Sequence, residues 1–370
     1  MTAHSNLILD GHKLEWHRER VEAWLAGEHI APITIDCALT RACNLRCVYC
    51  YGQLQANDEK RLTQDVVSRF LDDAAEVGVK AISFVSDGES TCSPHLYHGI
   101  LHGKKNGLDM ALGTNGTLLQ RERIPEILSA LTYLRFNVSA GEAKRYAEIH
   151  GCREELFDQV CETVKVAVKV KREQKLSTMI GLQMVLMPDF ADQVMPLARL
   201  GKTLGVDYLV IKHCSDDEDG SLGVQYDRYF DLVALLKEAE ALSDSEYLVQ
   251  AKWSKILSGG KRTYSKCYGP AFIMQFSGSG LVAPCGMLFN SKYDRFHIGN
   301  IADTRFKEIW AGERYREVMR LIASGHFDAR TMCGTLCLQH KVNEYLWELK
   351  NGLRKLQDPQ GEKPFGVNFI

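Results

Sequence analysis

Arg41-Ala42-Cys43-Asn44-Leu45-Arg46-Cys47-Val48-Tyr49-Cys50-Tyr51 follows a short β-branched run, Ile33 to Cys37, and sets three cysteines four and three residues apart on one loop. Thiolates at this spacing can hold three irons of a cubane [4Fe-4S] cluster, leaving the fourth iron open to a ligand the protein does not supply. A tetrahedral zinc site would need a fourth Cys or His nearby. The near candidate is Cys37, in the preceding strand, and residues 51–60 offer none.

Outward from this loop, β-branched runs alternate with helical patterns, the signature of βα units and a parallel sheet. Six strands are expected, at Ile33 to Cys37, Ala81 to Val85, Asp109 to Gly113, Leu134 to Ser139, Thr178 to Leu186 and Tyr208 to His213. Apolar positions at three-and-four spacing predict helices over Gln64 to Ala75, Ile124 to Leu131, Leu156 to Val170, Gln193 to Leu204 and Tyr226 to Ala241. Lys13 to Leu25 reads as an amphipathic helix covering one end of the sheet. The pattern turns Gly-rich and cysteine-containing after Trp253, so a domain boundary is expected between 243 and 258. The expected division is an N-terminal helical extension over 1–30, a βα domain over 31–245, a cysteine module over 255–345 and a tail over 346–370 whose last apolar residues dock.

The 370 residues carry 47 acidic and 45 basic side chains, a net charge of -2. No basic excess or long single-sign run points to nucleic acid or an anionic membrane. Met1 to Arg20 has no apolar signal core, and apolar runs fall far short of the roughly 18 to 20 residues of a membrane span. A cytoplasmic protein is expected. Twelve cysteines in such a chain speak for metal ligation or redox chemistry rather than a disulfide framework.

Cys43, Cys47, Tyr49 and Cys50 resemble the Cys-x3-Cys-x2-aromatic-Cys hallmark of the radical SAM superfamily. The resemblance implies a partial (β/α)6 TIM-like barrel and S-adenosylmethionine (SAM) bound at the open iron. It also implies reductive cleavage of SAM to a 5′-deoxyadenosyl radical, with an external one-electron reductant such as flavodoxin or ferredoxin. Ser86-Asp87-Gly88-Glu89 is similar to the family's Gly-Gly-Glu segment that binds the SAM ammonium, with Asp87 in place of the first glycine; a helix-capping acid is the plainer reading of Glu89. Gly113-Thr114-Asn115-Gly116 resembles the family's Thr-Asn-Gly turn. Ser139 falls where the ribose is bound, Arg153 where a base meets the SAM carboxylate, and Gln183 and Val185 on the adenine side.

Beyond the expected boundary, Cys267-x12-Gly280-x4-Cys285 resembles the opening of the SPASM and twitch modules, with Gly280 at a hairpin turn. Cys333-x3-Cys337 would complete four-thiolate ligation of a small C-terminal iron-sulfur module holding one auxiliary [4Fe-4S] cluster. A four-cysteine zinc ribbon is the rival.

Of the five remaining cysteines, Cys214 follows Lys212-His213 at the end of the sixth strand. It could give a hydrogen atom to a substrate radical, while Lys212 and His213 could bind a polar substrate or act as base. The leading expectation is hydrogen abstraction from a polar small molecule, a sugar, aminocyclitol or natural-product intermediate, giving oxidation or epimerisation. The alternatives are a SPASM-type ribosomal-peptide maturase and, in another class, a non-enzymatic iron-sulfur or zinc-structured binding protein.

Overall fold

The computed structural model describes residues 6–335 and 337–370; the first five residues of the expected N-terminal extension lie outside them. Ten strands form one sheet: β1 (Thr34–Cys37), β2 (Ala81–Phe84), β3 (Asp109–Thr114), β4 (Leu131–Asn137), β5 (Met179–Leu186), β6 (Tyr208–His213), β7 (Leu248–Ala251), β8 (Ile273–Phe276), β9 (Leu281–Ala283) and β10 (Gly299–Asn300). Their order is β10-β9-β8-β1-β2-β3-β4-β5-β6-β7. β1 to β7 are parallel and in sequence order, as expected of successive βα units, and the mixed α/β architecture is that of a partial barrel.

Two differences from the expected layout bear on the site. The segment 243–258 contains a seventh strand, β7, paired with β6 through Tyr208 to Ile211. After it, β8 adds in parallel to the free edge of β1, Thr34 opposite Ile273 and Cys37 opposite Phe276, so the cysteine module continues the barrel's own sheet. β9 and β10 extend it antiparallel around the turn Ser277–Gly280, where Gly280 has φ 86°. A smaller difference is at Leu131, read from its apolar spacing as the end of a helix. The helix stops at Leu128, and Leu131 opens β4 opposite Met110, beside an irregularity in the ladder.

Helices cover the outward face of the parallel strands. The helix Gln64–Val77 begins under the Thr63 hydroxyl, which accepts from Val66 N at 3.3 Å, and buries Val67, Phe70 and Leu71. The expected N-terminal helix forms as a 3-10 turn, Leu14–His17, running into Arg18–Leu25; Leu14 and Val21 pack with Ile33, Phe272 and Leu346.

The segment around Lys13 and the C-terminal tail meet under the barrel. The Lys13 ammonium donates to the carbonyls of Gly366 (2.9 Å) and Phe369 (2.8 Å), Thr34 Oγ1 donates to Asn368 O (2.5 Å), and Asn368 Nδ2 donates to Asp109 Oδ2 (2.7 Å). The tail docks as its final apolar residues led us to expect, at the amino ends of the strands and opposite the cysteine loop. Among the described residues no helix is long and apolar enough to cross a membrane.

Candidate active site

The loop after β1 carries Cys43, Cys47 and Cys50, and its backbone is held from two sides. The helix Ala143–His150 ends beneath it, with Arg46 N donating to His150 O (3.0 Å) and Val48 N to Ile149 O (2.9 Å). From β2 comes Gly88, where a Cβ would lie 2.0 Å from Thr40 O, and Glu89, whose N–H donates to Ala42 O at 2.9 Å. Only glycine permits that approach.

His150 is fully buried beside the loop. Its Nε2 accepts from Ser139 N at 3.0 Å, which leaves the ring proton on Nδ1, 3.2 Å from Cys47 Sγ and 3.5 Å from Tyr49 Oη. Burial pushes this imidazole down to about 3, so it stays neutral and donates an N–H to the sulfur. Leu45 N points at Cys43 Sγ at 3.5 Å. Burial raises the Cys43 thiol to about 11, so a thiolate there calls for a metal.

Glu89 is buried at the tips of β2 and β3. One carboxylate oxygen accepts from Thr91 N (3.0 Å), Thr91 Oγ1 (2.7 Å) and Thr114 Oγ1 (2.8 Å), and the other from Asn115 N alone (2.7 Å). It caps the turn Ser90–Cys92 and keeps one oxygen with spare acceptor capacity. Asn115 reaches the cysteine loop, its Nδ2 donating to Asn44 Oδ1 at 3.0 Å. Asp87 accepts from Ser277 Oγ (2.5 Å) and Gly278 N (2.8 Å), with the Arg41 guanidinium at 3.5 Å, and so ties the β2 tip to the turn between β8 and β9.

The four later cysteines converge. Cys267, Cys285, Cys333 and Cys337 interact electrostatically with one another, and the buried Arg262 guanidinium acts on Cys267, Cys333 and Cys337. Arg262 is anchored on the carbonyls of Ala329 and Thr335, and Asn343 Nδ2 donates to Cys267 Sγ at 3.5 Å. Four grouped thiols facing a cation and an amide donor fit a negatively charged four-thiolate [4Fe-4S] cluster.

Between the two cysteine sets lies a cavity of about 320 Å³. Its lining includes Cys43, Cys47, Cys50, Tyr49, Gly88, Glu89 and Asn115 from the strand tips, Gln183 and Val185 of β5, Lys212 and His213 of β6, and Cys337 of the module. Three buried polar atoms in residues that line it, Ser86 Oγ, Arg135 Nε and His213 Nε2, have no partner among the described residues, as in a site made for a polar ligand.

A family model for the radical SAM superfamily matches residues 38–200, and one for the SPASM iron-sulfur cluster-binding domain matches 267–337. The chain belongs to the radical SAM superfamily and carries a SPASM domain. It is 24% identical over 296 residues to the tungsten-containing aldehyde ferredoxin oxidoreductase cofactor-modifying protein of Pyrococcus furiosus, covering 75% of this chain and 80% of the relative. It is 26% identical to the AdoMet-dependent heme synthase of Methanosarcina barkeri (84% and 90% covered) and 24% identical to the mycofactocin maturase MftC of Mycolicibacterium smegmatis (81% and 77%). The fold is shared with Streptococcus suis SuiB bound to SAM, TM-score 0.62 at 15% identity, over 83% of this chain and 72% of that one. Membership brings with it SAM, a [4Fe-4S] cluster and auxiliary iron-sulfur binding.

Other residues of this radical SAM chain fall less centrally than its sequence suggests. Ser139 is buried behind the cavity wall, its hydroxyl accepting from Val185 N at 3.1 Å. Arg153 is exposed and outside the cavity lining. Cys214 is 1% exposed; its thiol points at the carbonyls of Tyr49 (3.6 Å) and Ser215 (3.4 Å), and its neighbours His213 and Ser215 form the wall instead. Sequence reasoning missed His150, Arg135 and Lys252, all three in the lining. For Arg135 the signal was alternation: Tyr133, Arg135 and Asn137 interleave with the buried Leu134, Phe136 and Val138.

Proposed function

We propose that this radical SAM enzyme abstracts a hydrogen atom from an organic substrate held in the cavity between its two cysteine sets, with Cys43, Cys47 and Cys50 holding the SAM cluster and Cys267, Cys285, Cys333 and Cys337 the auxiliary one. When bound, SAM and the first cluster supply a 5′-deoxyadenosyl radical, and the second cluster a one-electron acceptor or relay. The observation that carries this is the single cavity lined by Cys43, Cys47, Cys50, Glu89 and Cys337 together. The spare oxygen of Glu89 accepts from the SAM ammonium, Asn115 steadies the loop, and Tyr49 closes the side next to His150.

His213 donates from Nδ1 to Cys214 O at 2.7 Å, so Nε2 carries the lone pair. Burial and the charges of Lys255 and Lys212 hold this imidazole well below its ordinary range, as a neutral acceptor for an N–H or O–H of the substrate. Among the described residues the cysteines lining the cavity are Cys43, Cys47, Cys50 and Cys337, all assigned to clusters. With Cys214 behind the wall, oxidation is favoured over epimerisation, which needs a hydrogen donor.

A peptide substrate is better supported than a sugar or aminocyclitol. MftC is named a maturase, and SuiB has been solved with its precursor peptide SuiA. The small-molecule reading keeps support from the charged barrel interior. Anaerobic reconstitution with an external one-electron donor, dithionite or flavodoxin, tests the activity: 5′-deoxyadenosine forms, and deuterium from a labelled substrate enters it. No 5′-deoxyadenosine from iron-replete protein would defeat the reading.

A further inference from the structure

Inward positions of this barrel carry charge where a packed core would carry hydrocarbon. Asp36 of β1, Arg135 of β4 and Lys212 of β6 line the cavity, joined by Lys252, next after β7, and Lys255 in the helix Trp253–Ile256. The other two acids of the lining are engaged, Asp87 with Ser277 and Gly278 and Glu89 with Thr91, Thr114 and Asn115. Lys255 donates to Cys337 O at 2.7 Å.

Arg135, Lys212 and Lys252 remain. Arg135 Nε is buried without a partner, while the rest of its guanidinium meets the neutral Tyr208 hydroxyl and lies 5.3 Å from the Tyr133 ring centre, so no counter-charge is bonded to it. Neither Lys212 nor Lys252 has a hydrogen bond or ion pair among the described residues. Asp36 shares their wall and acts on Arg135 and Lys212 through space, but among the described residues it forms no ion pair with them. Cations grouped in a space this secluded are costly unless a counter-charge arrives. Lys212 shows that cost: burial and the charges of Lys255 and Arg135 press its ammonium down to about 7.

A smaller cavity of about 130 Å³ below shares Asp36, Arg135 and Lys252 with the main one, and Leu7, Phe365 and Phe369 line its far side. The main cavity joins these cations to the strand tips and the cysteine loop, giving a ligand one continuous space between them. Beside Lys212, the unpartnered Nε2 of the 2%-exposed His213 waits for a donor.

We propose that Arg135, Lys212 and Lys252 receive a carboxylate of the substrate, so that this enzyme acts on an organic acid held anion-down in the barrel with its reacting C–H toward the Cys43–Cys50 loop. This rests on the hydrogen-abstraction reading and names its substrate class. The carboxylate can belong to a free small acid or to an Asp or Glu side chain of a peptide. The His213 acceptor adds that a hydroxyl or N–H stands near it.

The test is anaerobic calorimetry on the reconstituted, SAM-loaded full chain. Glutarate is the probe with its dimethyl ester as neutral control, and a Glu-centred pentapeptide is compared with its Gln counterpart. Binding of either acid over its neutral partner, weakened tenfold or more in Arg135→Gln and Lys252→Gln with iron content and SAM affinity unchanged, is the expected result. Glutarate binding would assign a free acid, and pentapeptide binding alone an acidic side chain. Equal affinity for acid and neutral partners, or no change in the variants, would overturn the proposal. So would SAM affinity falling in step, since the cations would then serve the SAM carboxylate. If Arg135→Gln does not fold, Arg135→Lys, which keeps the charge, should bind acid while Lys252→Gln still does not. Formation of 5′-deoxyadenosine by the wild type without substrate is scored separately, so failure of acid binding is distinguishable from failure of the radical chemistry.

Discussion

His150 and Cys47, 103 residues apart, meet at 3.2 Å between Nδ1 and Sγ, with the imidazole locked from behind by Ser139 N. An N–H directed at a cluster sulfur stabilises the more negative, reduced state. Replacing it, as in His150→Ala, should lower the cluster's reduction potential. A hydrogen bond worth about 1 kcal/mol more in the reduced state corresponds to roughly 40 mV for one electron. Redox titration followed by electron paramagnetic resonance reads the shift; an unchanged potential with full iron content would remove the tuning role.

Glu89 combines structural and binding duties, and two substitutions separate them. Glu89→Ala leaves the donors of Thr91, Thr114 and Asn115 unmatched in a buried place, a loss of about 2–4 kcal/mol measurable by denaturant melting. Glu89→Gln keeps an acceptor but removes the charge. It should lower stability less while weakening SAM binding about tenfold, the 1.4 kcal/mol of one charge-assisted hydrogen bond.

Asp87 links the β2 tip to the SPASM domain through Ser277, Gly278 and Arg41, with its side chain only 3% exposed. Asp87→Ala should cost roughly 2–3 kcal/mol and raise amide exchange at Gly278 and Ser279. Protection there equal to the wild type would show that the β1–β8 ladder alone holds the domain in place.

Acid binding should weaken with rising pH. Lys212, facing Arg135, Lys255 and Asp36, with Lys252 near and Cys214 on its own strand end, titrates near 7 and is charged below that. Asp36, raised to about 7 by burial against the pull of Arg135 and Lys212, gains its negative charge over the same range. Both changes remove positive charge as pH rises, so glutarate affinity should fall through pH 7, by roughly tenfold per unit for one coupled proton. A flat profile between pH 6 and 8.5 would exclude Lys212 from the site.

Cys214 yields a prediction contrary to the one its sequence position suggests. With the thiol aimed at two carbonyls behind the wall, Cys214→Ala should keep SAM cleavage and product formation within about threefold, under 1 kcal/mol of barrier. Lost product with intact 5′-deoxyadenosine formation would restore the hydrogen-donor role.

The three-cysteine loop that lines the cavity and six of the seven barrel strands were legible because their signals are local: a three-cysteine spacing and β-branched runs between turns. The seventh strand, Leu248–Ala251, is four residues of mixed polarity that gain strand character only by pairing with β6. His150 closes an ordinary amphipathic helix, and nothing in its neighbours reveals that folding brings it to a cysteine 103 positions earlier. Arg153, three residues on, matched a family position yet lies outside, because the chain turns to the surface after Gly151. Arg135 and Lys212 stood on readable strands, but alternation tells which residues share a face and not whether that face is the hollow of a barrel.

The meeting of the Lys13 segment and the tail has a practical side. Lys13 is 7% exposed, and two carbonyls among the last five residues satisfy its ammonium. The Lys13 segment and the tail thus hold one another in place: a shortened tail strands a dehydrated cation, and loss of Lys13 frees the tail. An affinity tag fused after Ile370 would pull on that contact.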